Sequence, residues 1–443
     1  MSDRRGHEFT ITSKLCGDAR LFGAFAKGDA LTFKLVFPRK DGVSGAQFKL
    51  SGDAGELFTA PIPFVGLSGA DEVYLYELEL TETGLFSYEI VYYDLSGEHK
   101  PVNDGQLTVY AEGFTTPEWI KGGVMYQIFV DRFARGGNVE KRADAVMIED
   151  WDHGEPEYPK TRGEAFPNNS FFGGTLYGVV EKLDYLSSLG VNCIYLNPIF
   201  EAYSNHKYDT GDYEKIDGMF GGEDAFDLLI SEAGKRGIRV ILDGVFNHTG
   251  DDSKYFNRRG TYGEGGAYRD KNSPYFKWFN FRDYPDDYES WWNIGILPRV
   301  KSDEPSYREY MLGEGGIVRR YIARGAAGWR LDVADELSSG FLDGLREAVK
   351  AQNKDALIIG EVWEDASSKV SYGERRRYLQ GGELDSVMNY VMRNAIIEFV
   401  TGGKAEAFAR EAERLYRHYP KCVSDSLMNL LGTHDTPRIL NVL

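Results

Sequence analysis

The chain has 443 residues, 42% of them hydrophobic and 14% aromatic, with a formal net charge of −18. That length exceeds one ordinary domain, so two or three are expected. The acidic balance argues against nucleic acid or an anionic membrane as partner and fits a neutral substrate, though it also serves simply to keep a cytoplasmic protein soluble.

The N-terminus, MSDRRGHEFTITSK, has no apolar run behind its charges, so no secretory signal is read there. No stretch is long enough to span a bilayer. Cys16, Cys193 and Cys422 are odd in number and far apart, with neither zinc nor disulfide spacing, and a cytoplasmic location is expected. Cys193, inside VNCIYLNP, reads as a small buried apolar residue. The 28 Tyr and 7 Trp serve either surface packing or the stacking of sugar rings.

Residues 1–116 carry LTFKLVF, VYLYELEL, GLFSYEIVYYD and QLTVYAEG, short strands between Gly, Asp and Ser turns, which predict a β-sandwich. GFTTPEW (113–119) breaks the pattern. From Gly122 onward strands alternate with helices. VMYQIFV (124–130), NCIYLNP (192–198) and RVILDG (239–244) are the first three strands, with helices over 177–190 and 223–237. Residues 249–303 lack clean periodicity and predict an inserted subdomain. Helical spacing resumes over 306–325, with a turn at GEGG (313–316), and GWRLD, LIIGE, LDSVMN and MNLLGT supply strands four to seven. This alternation predicts an α/β architecture, a (β/α)8 TIM barrel over 117–248 and 304–443. After RILNVL no residues are left for an eighth strand or a C-terminal β-domain. The chain is therefore read as a fragment; closure by a partner or a swapped segment is the alternative.

Four segments share one grammar, an apolar run ending in an acid: RVILDGVFNH, AAGWRLDVADE, ALIIGEVWE and MNLLGTHDTPR. They deliver Asp243, Asp332, Glu361 and Asp435 to the C-terminal ends of parallel strands, the active-site face of a barrel. Arg330 and Asp332 share a strand face, while Trp329, Leu331 and Val333 face the helices. A guanidinium beside Asp332 is expected to lower its pKa and suit it as a carboxylate nucleophile; a structural ion pair is the other reading. Glu361, in apolar surroundings next to Trp363, is expected to have a raised pKa and to act as general acid. The pair fits retaining glycoside hydrolysis, with the carboxyls about 5 Å apart. Asp435, His434 and His248 suit hydrogen bonds to ring hydroxyls. No HxxEH-type helix supports reading the histidines as zinc ligands. Asp243 and Asn247 are as suited to holding the local loops as to touching substrate.

DGVFNH, GWRLDVADE, GEVWE and GTHD, in this order, resemble the four characteristic segments of the α-amylase family, glycoside hydrolase family 13. FFGGTLYGVVEKLDYLSSLGV, LNPIFEAYSNHKYDTGDY and LDSVMNY are similar to the branch of neopullulanases, cyclomaltodextrinases and maltogenic amylases. The resemblance covers roughly residues 20–443. It implies Asp332 as nucleophile, Glu361 as acid/base and Asp435 as transition-state stabiliser. Arg330, His248 and His434 would surround the sugar, and Tyr208 would stack on it. The implied reaction is retaining hydrolysis of α-1,4-glucosidic bonds in maltodextrins, cyclodextrins or pullulan. A glucanotransferase with the same residues, or a truncated inactive glucan-binding protein, are the alternatives. The resemblance also implies a carbohydrate-binding type of N-terminal domain, domain B over 249–303 and a homodimer formed through the N-terminal domain. No cofactor is implied by the motifs themselves. Branch members often hold calcium between a loop after DRF and an aspartate after FFGG; here the loop reads ARGGNVEKRADA and the latter position is Thr175.

Overall fold

The structure, a computed structural model, describes residues 7–15, 17, 18, 23–162, 164 and 166–443. Cys16 lies outside the described residues. The chain forms two compact units, one of residues 1–116, 363–431 and 439–443 and one of residues 117–362 and 432–438.

The N-terminal part of the first unit holds ten strands among its described residues: β1 (Glu8–Ser13), β2 (Gly17–Asp18), β3 (Ala24–Ala26), β4 (Ala30–Pro38), β5 (Gly45–Gly52), β6 (Gly55–Pro61), β7 (Phe64–Ser68), β8 (Asp71–Glu79), β9 (Gly84–Asp94) and β10 (Gly97–Tyr110). They form two sheets, ordered β2-β1-β4-β8-β7 and β3-β10-β9-β5-β6, antiparallel except where β3 runs parallel to β10. Strand β4 shows why. Its period of two turns Leu31, Phe33, Leu35 and Phe37 inward. There they meet Phe48, Ile90 and Tyr92 of the other sheet, with Phe33–Phe48 and Phe37–Tyr92 centroids 4.7 and 4.8 Å apart. The antiparallel domain expected from the sequence is thus present. Helices Tyr390–Val400 and Ala405–His418 belong to the same unit, where Thr108 Oγ1 donates to the His418 carbonyl at 3.0 Å.

In the second unit, β11 (Met125–Ile128), β12 (Cys193–Leu196), β13 (Arg239–Gly244), β14 (Gly328–Leu331) and β15 (Leu357–Gly360) run parallel, side by side in chain order. β12, β14 and β15 are buried along their whole length, which is why they read as apolar runs rather than alternating ones. Cys193 is fully buried in β12, and burial pushes its thiol pKa up. Between the strands lie α1 (Leu176–Glu181), α2 (Leu183–Ser188), α3 (Gly222–Lys235), α4 (Pro305–Leu312), α5 (Ile317–Ala323) and α6 (Ser339–Gln352). Thr175, Glu304 and Ser338 cap α1, α4 and α6 by accepting from backbone N–H groups. The single helix expected over 177–190 is two, parted at Lys182, whose carbonyl still accepts from the Leu186 N–H.

Strand six is only Ser386–Val387, and the seventh expected strand, MNLLGT, is a single parallel bridge, Met388 to Met428. Side chains compete with the ladder at both places. Asn389 caps the helix that follows by accepting from the Met392 N–H. The Thr433 N–H donates to Thr436 Oγ1 at 2.9 Å, closing a local turn. Residues 249–303 are mostly turns around an aromatic nucleus, Phe256, Phe279, Phe281 and Tyr288, with one short antiparallel pair, Phe281–Asp283 and Asp287–Tyr288. Among the described residues no helix is long and apolar enough to cross a membrane.

Candidate active site

Three of the four acids meet at one guanidinium. Arg330, on β14 and fully buried, donates from Nη1 to Asp243 Oδ1 at 3.0 Å and to Asp332 Oδ1 at 2.9 Å. Its Nη2 lies 3.0 Å from Glu361 Oε2. The ends of β13, β14 and β15 deliver these side chains because the strands are neighbours in register, Asp243 beside Arg330. Asp435, on the 432–438 segment of the same unit, is near enough for Glu361 to act on its charge.

The electrostatics differ from the sequence expectation. Asp332 was expected to have a lowered pKa; it is pushed well above the usual carboxylate range. Burial comes first and outweighs the lowering by Arg330, while Glu361 and Asp243 add repulsion. Desolvation sets the direction, and the neighbouring carboxylates reinforce it. Asp243 is also raised, by burial. Asp435 is pushed up to about 6, by burial first and then by Glu361 and Asp243.

A second difference concerns Val333, expected to face the helices from the strand. It lies past the end of β14 in a left-handed conformation, φ 40° and ψ 55°. That is an outlier for a β-branched residue. The turn aims its N–H at Glu361 Oε2, 2.8 Å away. Trp329 does pack outward, against Tyr321 of α5, at 6.2 Å.

Tyr208 joins this cluster to His434. Its hydroxyl donates to Asp243 Oδ2 at 2.8 Å, accepts from Asn197 Nδ2 at 3.0 Å and lies 2.7 Å from His434 Nε2. The two rings stack, with centroids 5.2 Å apart. Burial, then Arg330 and His206, pushes the His434 pKa down to about 3, and burial pushes His248 down to about 4, so both rings are neutral near pH 7. Asn247 Nδ2 is 3.3 Å from His248 Nδ1. Trp363 falls in the first unit, its indole stacked on Tyr390 with centroids 3.9 Å apart.

Several site residues went unread in the sequence. Tyr195 on β12 donates to Asp243 Oδ2 at 2.5 Å. Gln127 on β11 donates to Asn197 Oδ1 at 2.9 Å and lies 2.8 Å from His434 Nδ1. Lys207, fully buried and left-handed at φ 63°, pairs with Asp217 at 2.6 Å and sets the turn that presents Tyr208. Gln127 and Asn197 did leave a signal, as polar residues within or at the end of apolar strands.

A cavity of about 700 Å³ is lined by His206, Tyr203, Arg142, Arg259, Asp209 and Asp251 among others. The two arginines flank the Tyr203 ring at 4.8 and 4.9 Å. The calcium position of the branch does not fit a cation here. Thr175 Oγ1 is occupied in capping α1 and in donating to the Gly136 carbonyl. The Arg135 guanidinium takes the carbonyls of Ile148, Glu149 and Phe172.

The catalytic-domain family described as "Alpha amylase, catalytic domain" matches residues 127–443. The chain is 37% identical to an amylopullulanase of Thermoanaerobacterium saccharolyticum over 95% of its own length and 37% of that protein. It is 37% identical to neopullulanase 2 of Thermoactinomyces vulgaris over 80% of its own length and 57% of that protein. It thus spans between about a third and somewhat over half of these curated relatives. Among solved structures it resembles the cyclic α-maltosyl-(1→6)-maltose hydrolase of Arthrobacter globiformis, with a TM-score of 0.64 and 32% identity over 74% of this chain and 69% of that one. The chain belongs to the α-amylase family, glycoside hydrolase family 13, in the branch that holds neopullulanases, cyclomaltodextrinases, maltogenic amylases and amylopullulanases.

Proposed function

We propose that this chain carries the catalytic apparatus of an α-glucan hydrolase that cleaves α-1,4-glucosidic bonds with retention. The observation that supports this most is Arg330 reaching Asp332 and Glu361 with the two ends of one guanidinium. Two carboxyls held that closely suit a covalent route, for which a separation of about 5 Å is needed. Glu361 gives its proton to the leaving oxygen while ionised Asp332 bonds to the anomeric carbon. Water, activated by Glu361, then releases the sugar from Asp332. Asp435, His434 and His248 accept or donate hydrogen bonds to the ring hydroxyls, and Tyr208 provides an aromatic wall. The names of the relatives favour maltodextrins, cyclodextrins and pullulan as substrates.

In this reading β11 to β15 are the first five strands of a (β/α)8 barrel preceded by the N-terminal sandwich. Residues 249–303 are its inserted domain, and the protein works in the cytoplasm as a homodimer. Reducing-sugar release from β-cyclodextrin, pullulan and soluble starch tests the activity. Release by the wild-type chain, lost by at least about a thousandfold in Asp332→Asn and in Glu361→Gln, is expected. Turnover retained in either variant overturns the assignment.

A further inference from the structure

Gln127 has no part in the mechanism above, yet its amide ends a chain of hydrogen bonds that begins at the buried acids. It stands on β11 beside Tyr195 of β12, and Asn197 lies just beyond the end of β12. The direction of every bond in the chain follows from its far end. Asp243 takes donors on both carboxylate oxygens, Arg330 Nη1 on each and the Tyr195 hydroxyl on Oδ2. The single Tyr208 proton is also directed to Asp243 Oδ2, 2.8 Å away. The Tyr208 oxygen then has only acceptor capacity left. Both of its other neighbours must donate, Asn197 Nδ2 at 3.0 Å and His434 Nε2 at 2.7 Å.

With its nitrogen on Tyr208, Asn197 turns its oxygen to Gln127, whose Nε2 donates to it at 2.9 Å. The second hydrogen of that nitrogen faces His434 Nδ1 at 2.8 Å. An amide nitrogen only donates, so Nδ1 accepts and carries no proton. Both ends of the ring thus require the same form, a neutral imidazole with its hydrogen on Nε2. An imidazolium, or the other tautomer, would set an Nδ1–H against the Gln127 N–H. The ring's Nε2 edge is the one beside the third acid, 3.2 Å from Asp435 Oδ2.

We propose that Gln127 is a positioning residue for the reaction: it fixes His434 as the Nε2–H tautomer, so that the ring offers the sugar a donor next to the Asp435 acceptor. A sugar hydroxyl has one proton to give and lone pairs to receive with. A donor and an acceptor side by side hold it in one orientation. A bare Nε2 would instead compete with Asp435 for the same proton. This inference rests on the α-glucan reading.

The test uses the full chain with Gln127→Glu and Gln127→Met. Imidazole nitrogen NMR on histidine-labelled protein near pH 7 reads the tautomer without turnover, with His434→Asn to assign the signal. Wild type should show His434 protonated on Nε2 and bare on Nδ1. In Gln127→Glu a group that only accepts replaces the donor, and Nδ1 should gain a proton. A wild-type His434 protonated on Nδ1 overturns the proposal, as does a bare Nδ1 in a folded Gln127→Glu chain. In the kinetic arm, kcat/KM for β-cyclodextrin is expected to fall about tenfold in Gln127→Met, which keeps the volume but not the donor, and further in Gln127→Glu. Full activity in Gln127→Glu also overturns it. If wild type releases sugar from no glucan, the hydrolase reading fails, and the NMR arm alone still decides the role of Gln127.

Discussion

Asp332 shows how much one residue depends on burial. Beside an arginine in water it would sit low in pKa; buried, with Asp243 and Glu361 on the same Arg330, it sits high. Its folded pKa exceeds its unfolded one, so ionisation at neutral pH opposes folding. Asp332→Asn removes that charge and keeps an acceptor for Arg330. The variant is therefore expected to melt about 1–3 °C above wild type at pH 7 while losing turnover, measurable by calorimetry. Asp435 sets a pH window. Its pKa is pushed up to about 6 from 3.8, so the folded chain binds more protons than the unfolded one between pH ~4 and ~6, and this group's contribution to stability declines as pH rises through that range. The ionised form is the one that accepts from sugar hydroxyls. With Asp332 raised as well, the acid limb of kcat/KM should lie at or above pH ~6; a limb near pH 4 would contradict both shifts.

At the scale of elements, close approach between β14 and β15 places Arg330 beside Glu361. Gly328 makes it possible, because a Cβ there would lie 2.1 Å from the Leu357 carbonyl oxygen. Gly328→Ala is expected to part these strands and lower the melting temperature by about 5 °C or more, with a loss of activity at matched folded fraction. The apolar runs of β12, β14 and β15 were legible because strands buried on both faces are largely apolar. The sixth strand was legible in place but not in length, and the seventh is only a bridge, because the competing contacts of Asn389 and Thr436 are made by side chains a few residues away.

For the whole molecule, the α-glucan reading sets a net charge of −18 against a neutral substrate. Binding then gains little from steering, and KM for β-cyclodextrin should change less than about twofold between roughly 50 and 500 mM NaCl. A steep salt dependence would point to a charged ligand.

The sequence by itself determined which residues could do the chemistry. Period and composition placed Asp243, Arg330, Asp332 and Glu361 at strand ends, since a strand's direction and face follow from its own residues. Only the tertiary structure decided what each group experiences. Three carboxylates share Arg330, Val333 is forced left-handed to reach Glu361, and Gln127, Tyr195 and Lys207 enter the site. Desolvation and charge coupling depend on groups far apart in the chain, and folding alone sets those distances.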